Sequence, residues 1–236
     1  MNVTGRVHSI QTLGTLDGPG VRCLVFMQGC PLRCGCCHNP DTWDPHDGSE
    51  YSAHELAETA LRYRPYFGKD GGVTLSGGEP LLQARFAAAF FTACREQGLH
   101  TCLDTSGCRL DEDCKALLAV TDRVLLDVKY TADDLYRRHV GCALQAPLTF
   151  LQYLNEHGIP VTLRQVVIPT LNDTVENIRA LNALIRQHSC IDKVELLPFR
   201  KLCVEKYQRL GIPFSFEGIP EPTAETMTAL EKEICI

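Results

Sequence analysis

The chain has 236 residues, of which 44% are hydrophobic and 22% are charged, and this is enough material for a sizeable core. Its formal net charge of -6 argues against a nucleic-acid-binding protein, which usually carries a basic excess or a basic stripe. The sequence contains no run of about 18 apolar residues that would predict a membrane span, and residues 1–14 lack the basic-then-apolar build of a signal peptide. We therefore expect a cytoplasmic protein.

Apolar, β-rich segments alternate with segments of helical period along nearly the whole chain. The first predicted helix begins with a capping box, in which Ser52 is the N-cap and Glu55 follows three residues later. The predicted strands are 21–27, 72–76, 100–105, 123–129, 160–168 and 193–199. The predicted helices are 52–64, 81–98, 111–120, 132–139, 148–158, 173–188 and 223–234.

This alternation implies parallel strands joined by right-handed crossovers. We predict a single α/β domain over residues 1–236 with the architecture of a partial (β/α)6 TIM-like barrel; a doubly wound open sheet is the alternative. In both folds ligands bind at the loops that follow the carboxyl ends of the strands. Polar or glycine-rich groups follow the strands here: a cysteine loop, SGGEP (76–80), DTSG (104–107), DVK (127–129), RQVVIPTLND (164–173) and LPFR (197–200). We therefore predict an active site at the C-terminal ends of the strands.

The loop after the first strand, FMQGCPLRCGCCHNPDTW (26–43), holds Cys30, Cys34, Cys36 and Cys37. Disulfides are rare in the cytoplasm, so a zinc site and an iron–sulfur cluster are the stronger interpretations. Structural zinc sites are closed by a full set of ligands, and adjacent Cys36 and Cys37 are awkward ligands for one metal. Soft thiolates also suit an iron–sulfur cluster. Three well-spaced cysteines would leave one iron open to a substrate or cofactor.

CxxxCxxC in this loop, followed by GGEP, resembles the radical S-adenosylmethionine (SAM) superfamily. The segments HSIQTLGTLDGPGVR, QGCPLRCGCCHNPDTWD, GVTLSGGEPLLQ, HTCLDTSG, LLDVKY and VELLPF together resemble the pyruvate formate-lyase activating enzymes, from about residue 5 to the last helix. The resemblance implies an oxidoreductase in which Cys30, Cys34 and Cys37 ligate one 4Fe–4S cluster and SAM chelates the remaining iron. Reductive cleavage of SAM would yield a radical that removes a Cα hydrogen from a glycine of a partner glycyl-radical enzyme.

The resemblance also assigns roles to residues at the strand ends, beside simpler structural explanations. Gly77, Gly78 and Glu79 would form a backbone that approaches the SAM amino group, or only a strand-to-helix turn. Lys129 would contact SAM, or would only neutralise Asp127 on the same face of the strand. Asp104 and Thr105 would lie with Asp127 around a monovalent cation, or would only cap a helix. Further residues that we predict to contact the cofactor are Cys36, His38, Val128, Arg164 and Arg200. Asp17 would lie near the glycine of the partner, or would only stabilise a turn.

Two positions depart from the family pattern. Cys36 stands where the superfamily usually carries an aromatic residue against the adenine, so we expect contact through backbone or sulfur. Arg200 stands where the activating enzymes carry a histidine. It would reach the ribose or carboxylate of SAM as a fixed cation, or would lie at the surface.

Other functions would use the same cysteines differently. One alternative is a zinc-stabilised interaction module without catalysis, and another is a thiol switch at Cys36 and Cys37. Within the enzymes, the alternative is an activase for a diol dehydratase or an aryl-substrate lyase. Many of those activases carry an inserted ferredoxin-like domain, whereas residues 41–72 here contain no cysteine. This favours the pyruvate formate-lyase type and a flavodoxin or ferredoxin as the external electron donor. We also expect a monomer.

Overall fold

A computed structural model describes residues 3–235 of the chain. The strands within these residues are β1 (Thr4–Gly14), β2 (Arg22–Met27), β3 (Ser49–Ser52), β4 (Gly72–Gly77), β5 (His100–Thr105), β6 (Arg123–Asp127), β7 (Val161–Val167) and β8 (Ile191–Pro198). The α-helices are α1 (Ala53–Leu61), α2 (Arg64–Phe67), α3 (Ala84–Glu96), α4 (Glu112–Leu118), α5 (Asp133–His139), α6 (Gln145–Glu156), α7 (Val175–Gln187), α8 (Val204–Leu210) and α9 (Ala224–Lys232). Short 3₁₀ helices cover Pro40–Thr42 and Pro80–Gln83.

The strands form an eight-stranded sheet in the order β3-β1-β2-β4-β5-β6-β7-β8. The pairs β2–β4, β4–β5 and β7–β8 are parallel, and β1 runs antiparallel to both β2 and β3. Parallel neighbours require crossover connections, which the intervening helices supply. The predicted α/β class is therefore confirmed, and the mostly parallel sheet is consistent with a partial TIM-like barrel.

All six predicted strands are present as β2 and β4 to β8, but β1, β3, α2 and α8 were not predicted. Strand β1 is antiparallel and half exposed, and its few large aliphatic residues, including Val7, are diluted by polar neighbours. Strand β3 consists of four residues, SEYS, and carries no apolar run. Antiparallel strands with one exposed face have weak apolar signals of this kind.

The chain divides into two compact units, one containing residues up to Pro31 with Thr42–Leu125, the other Leu32–Asp41 with Leu126 onward. In the first unit α3 packs against α1 and α4, and its core includes Leu24, Leu75, Phe90 and Leu103. In the second unit the core includes Phe150, Leu163, Ile178 and Phe199. The single-domain interpretation stays a prediction.

Among the described residues, no helix is both long and apolar enough to cross a lipid bilayer.

Candidate active site

The backbone before Cys30 is bound to the GGEP turn within the first unit. Gly78 N–H donates to the carbonyl of Met27 at 2.9 Å, and Glu79 N–H donates to the carbonyl of Gly29 at 2.9 Å. Strand β2 ends at Met27 and β4 at Gly77, so the two parallel strands deliver both segments to one sheet edge.

The two glycines of this turn are required by the packing of backbone against backbone. Gly77 has a φ of 103°, and a Cβ there would lie 2.5 Å from the amide nitrogen of Met27. A Cβ on Gly78 would lie 2.3 Å from the carbonyl oxygen of Gly29. Only glycine fits positions of this kind. This structural requirement is present whether or not the turn also binds a ligand.

Glu79 is buried, and its carboxylate joins the ends of β4 and β5 within the first unit. It accepts hydrogen bonds from the Thr105 hydroxyl at 2.6 Å, the Ser106 amide at 3.0 Å and the Ser106 hydroxyl at 2.5 Å. It also accepts from the amide of Leu81 at 3.1 Å. Burial raises the pKa of Glu79, and the hydrogen bonds from Ser106 and Thr105 oppose that rise. The carboxylate is thus a fully hydrogen-bonded clamp between two strand ends.

Asp104 and Thr105, predicted around a monovalent cation, have different partners. The Ser76 hydroxyl donates to Oδ2 of Asp104 at 2.6 Å, whereas the Thr105 hydroxyl donates to Glu79. The cation itself stays a prediction. Asp17, in the loop between β1 and β2, is half buried, and its carbonyl accepts a hydrogen bond from the Thr74 hydroxyl at 2.7 Å.

The rest of the cysteine loop is held within the second unit by main-chain hydrogen bonds. Cys37 N–H donates to the carbonyl of Cys34 at 3.1 Å and closes a turn. Gly35 N–H donates to the carbonyl of His139 at 2.8 Å, and the Tyr207 hydroxyl donates to the carbonyl of Cys37 at 3.2 Å. Cys34 and Cys37 form no disulfide, and both are half buried. Two soft ligands are thereby presented from a fixed turn.

Asp127, Lys129 and Arg164 form a compact charged cluster in the second unit. Lys129 Nζ lies 2.5 Å from Asp127 Oδ2, and Arg164 Nε lies 3.1 Å from Asp127 Oδ1. The side chains of Asp127 and Lys129 are both 17% exposed and that of Arg164 is 9% exposed. Burial alone would raise the pKa of Asp127, but the two cations hold it below its usual value. Burial alone would lower the pKa of Lys129, but the Asp127 carboxylate and the Cys34 thiol hold it well above its usual value.

The charge balance of this cluster defines what it can bind. One carboxylate faces two cations, so Asp127, Lys129 and Arg164 carry a net charge of about +1 at neutral pH. A buried surplus of positive charge is stabilised by an anion. Arg and Lys together suit a carboxylate, since Arg supplies a planar fork and Lys a point charge. The predicted pairing of Asp127 with Lys129 is present, and Arg164 is a second partner.

Cys36, His38 and Arg200 are linked to other groups of the second unit. Burial raises the pKa of the Cys36 thiol to about 11. His38 Nε2 lies 2.9 Å from the carbonyl oxygen of Arg200. The Arg200 guanidinium pairs with Glu221 at 2.6 Å and is 48% exposed. The structure thus places Arg200 in a surface ion pair, and the predicted contact of Arg200 with SAM stays a prediction.

Val128 is fully buried, and both of its main-chain polar groups are engaged within the second unit. Its N–H donates to the carbonyl of Arg164 at 3.0 Å, and its carbonyl accepts from Gln165 Nε2 at 3.0 Å. A bound molecule would therefore meet Val128 through its side chain or through a shared main-chain acceptor.

Several residues that hold these groups were not assigned a role from the sequence, although Ser76 and Ser106 lie within SGGEP and DTSG. Ser76 and Ser106 donate to predicted site carboxylates, and each pairing joins residues far apart in the chain. Tyr130 follows Lys129, and its hydroxyl is buried with no hydrogen-bond partner among the described residues. A buried unpartnered hydroxyl is uncommon and suits a missing acceptor. The one sequence feature that could have drawn attention to Tyr130 is its place at the end of the segment LLDVKY.

The donor set fits an iron–sulfur cluster better than a single ion. Cysteine thiols in a fixed turn supply soft ligands. Among the described residues, no group of three or more His, Cys, Asp or Glu side chains is arranged to hold one metal ion.

Comparison with known proteins identifies clear relatives. The profile of the radical SAM superfamily matches residues 24–181. A pyruvate formate-lyase-activating enzyme from Clostridium pasteurianum is 44% identical over 231 residues, covering 98% of this chain and 97% of the relative. A pyruvate formate-lyase 1-activating enzyme from Escherichia coli is 41% identical over 230 residues, covering 96% of this chain and 94% of the relative.

Solved structures show the same fold at low identity. A domain of a pyruvate-formate lyase-activating enzyme from Bacteroides vulgatus aligns with a TM-score of 0.58 at 20% identity, covering 70% of this chain and 92% of that chain. SuiB from Streptococcus suis, bound to S-adenosylmethionine, aligns with a TM-score of 0.62 at 18% identity, covering 74% of this chain and 39% of that chain.

Proposed function

Because the chain belongs to the radical SAM superfamily and, within it, to the family of pyruvate formate-lyase-activating enzymes, we propose that it generates the glycyl radical of pyruvate formate-lyase. The observation that carries this proposal is 44% identity over nearly the full length of both chains. The predicted family resemblance and the predicted class of enzyme are thereby confirmed.

Membership of this superfamily implies a 4Fe–4S cluster and SAM as cofactors. When bound, the two groups supply a one-electron reductive cleavage of SAM and the carbon radical that removes hydrogen from the partner. We propose that Cys30, Cys34 and Cys37 hold the cluster. The main-chain turn that joins Cys34 and Cys37, neither of which forms a disulfide, supports this role.

The charged cluster of the second unit is proposed to bind the carboxylate of SAM. Lys129 and Arg164 supply the surplus positive charge, and Asp127 orients both through direct ion pairs. The desolvated setting strengthens each interaction relative to water. A SAM carboxylate would thus be a further anionic partner for these two cations.

The other predicted contacts remain part of the proposal. We infer that Cys36, His38, Val128, Arg200 and the turn Gly77-Gly78-Glu79 contact SAM, and that Asp104, Thr105 and Asp127 surround a monovalent cation. Asp17 is proposed to lie near the glycine of the partner. Because residues 41–72 contain no cysteine, the electron is proposed to come from a separate flavodoxin or ferredoxin. We also propose that the protein is a cytoplasmic monomer, which would allow it to meet both the electron donor and the partner enzyme.

The test is radical formation on the partner under anaerobic conditions. The reconstituted chain is mixed with SAM, a reductant and pyruvate formate-lyase, and the glycyl radical is recorded by electron paramagnetic resonance. We expect a radical on the partner only when all components are present. A colourless, zinc-containing protein that forms no radical would overturn the proposal in favour of an interaction module.

A further inference from the structure

The loop between β1 and β2 carries Asp17 and has a backbone that needs external support. Gly18 and Gly20 have positive φ values of 118° and 66°. Glycine-rich segments lose the most conformational freedom on ordering. The side chain of Leu16 in this loop is largely exposed, at 82%. A loop of this composition is held in one conformation only if its polar main-chain groups are tied down.

Arg22, the first residue of β2, supplies part of that support from a fully buried position. Its Nη1 donates to the carbonyl of Pro19 in the loop at 2.8 Å. Its Nη2 donates to the carbonyls of Val73 at 2.5 Å and His100 at 3.1 Å. The acceptors of these bonds are neutral. Burying a guanidinium is unfavourable in isolation; these hydrogen bonds and the nearby carboxylates of Asp122 and Asp17 offset part of that cost.

Thr74 completes the connection, and it is also fully buried. Its hydroxyl accepts from Arg22 Nε at 2.6 Å and donates to the carbonyl of Asp17 at 2.7 Å. The Thr74 hydroxyl therefore connects the guanidinium of Arg22 to the main-chain carbonyl of Asp17 through two hydrogen bonds. Gly18 closes the arrangement, because a Cβ there would lie 3.0 Å from Cδ of Arg22.

We propose that Thr74 and Arg22 are positioning residues that fix the loop of residues 16–20 and thereby set the affinity of the chain for the glycine-bearing segment of its partner. The loop carbonyls of Asp17 and Pro19 are turned inward to this clamp, which leaves the exposed side chain of Leu16 facing outward. The inference rests on the proposed function, because it takes the partner to be a glycyl-radical enzyme.

The test compares Thr74→Val with Thr74→Ser in the reconstituted holoenzyme. Valine keeps the shape of threonine but loses the hydroxyl. Serine keeps the hydroxyl, so Thr74→Ser should retain the KM of the unmodified enzyme for its partner. We expect Thr74→Val to raise the KM for pyruvate formate-lyase at least threefold while kcat stays within about twofold. Arg22→Lys, which keeps the charge but loses the fork, should raise the same KM.

Thr121→Val is the matched control for simple destabilisation. Thr121 is buried in the same unit, and its hydroxyl donates to the carbonyl of Leu117 at 2.8 Å, far from the loop in sequence. We expect this variant to lower Tm and to leave the KM unchanged. If Thr74→Val lowers Tm as Thr121→Val does but leaves the KM unchanged, the clamp is only structural and the inference is wrong. If the unmodified enzyme forms no radical on the partner, the proposed function fails instead.

Discussion

The carboxylate of Asp127 has two cationic partners, so the removal of one of them is tolerable for the fold. After Lys129→Met, Arg164 would still lie 3.1 Å from Asp127. The stability loss should therefore stay below the about 3–5 kcal/mol typical of a buried pair that loses its only partner. We expect SAM binding to weaken at least tenfold, which is about 1.4 kcal/mol, with cluster content unchanged.

Calorimetric titration of SAM measures this effect. Lys193→Met is the control, because Lys193 forms an exposed pair with Glu195 at 2.6 Å and should leave SAM affinity unaltered. Unchanged SAM affinity in Lys129→Met, together with a lower Tm, would show that Lys129 only neutralises Asp127.

The cysteine loop allows a comparison of neighbouring thiols. Cys34→Ala should abolish cluster retention, because a cluster with three protein ligands has none to spare. Cys36→Ala should retain iron, since its thiol lies outside the CxxxCxxC spacing. Iron and sulfide analysis after anaerobic reconstitution distinguishes them, and an equal loss in both variants would mean that the predicted ligands are wrong.

His100 makes the stability of the first unit dependent on pH. Its Nδ1 lies 3.2 Å from Nη2 of Arg22, and a guanidinium can only donate, so Nδ1 must accept and the ring must be neutral. Burial and the Arg22 charge lower the pKa of His100, whereas Asp122 and Asp70 oppose this and Arg123 adds to it. The unfolded chain therefore binds the proton more readily, and stability falls as the pH drops below about 6.5.

His100→Gln removes this titration and keeps an acceptor. The loss of Tm between about pH 7.5 and about pH 5 should be smaller in the variant than in the unmodified chain, because the unfolded histidine titrates in this range. Identical pH profiles for the two proteins would show that His100 does not couple to folding.

At the scale of elements, the ends of β4 and β5 are joined by Glu79. In Glu79→Gln the side-chain NH2 would face either the Ser106 amide, which now donates to Oε2 at 3.0 Å, or the Leu81 amide, which donates to Oε1 at 3.1 Å. An unsatisfied buried donor costs about 1–3 kcal/mol. Urea unfolding should show a loss of that size, while Glu58→Gln, on the exposed face of α1, should be neutral. Equal stability of both variants would contradict the clamp.

The sequence predicted the parallel elements better than the antiparallel ones. Strands β2, β6 and β7 contain buried apolar runs, and such runs are a strong signal, whereas β4 and β5 are buried strands of mixed polarity. Strand β1 was missed because its large aliphatic residues, Val7, Ile10 and Leu13, stand three apart among polar residues, and β3 because SEYS has no apolar run at all. The hydrophobic pattern is therefore a weak predictor of strands that bury only one of their two faces.

At the scale of the whole molecule, the spacing of residues along the chain predicted contacts between near neighbours in the sequence, but not contacts between distant segments. The pairing of Asp127 with Lys129 follows from the period of a strand. The contacts of Asp127 with Arg164 and of Glu79 with Ser106 do not, because they join segments that meet only in the folded chain. The same is true of Glu221, which holds Arg200 at the surface.

The central claim is that this chain removes a Cα hydrogen from a glycine of its partner. Pyruvate formate-lyase labelled with deuterium at the Cα of glycine is incubated with the reconstituted chain, SAM and a reductant, and the 5′-deoxyadenosine is analysed by mass spectrometry. The account predicts that 5′-deoxyadenosine acquires a single deuterium from the partner as the glycyl radical forms. Production of 5′-deoxyadenosine that carries no deuterium, with no radical on the partner, would contradict it.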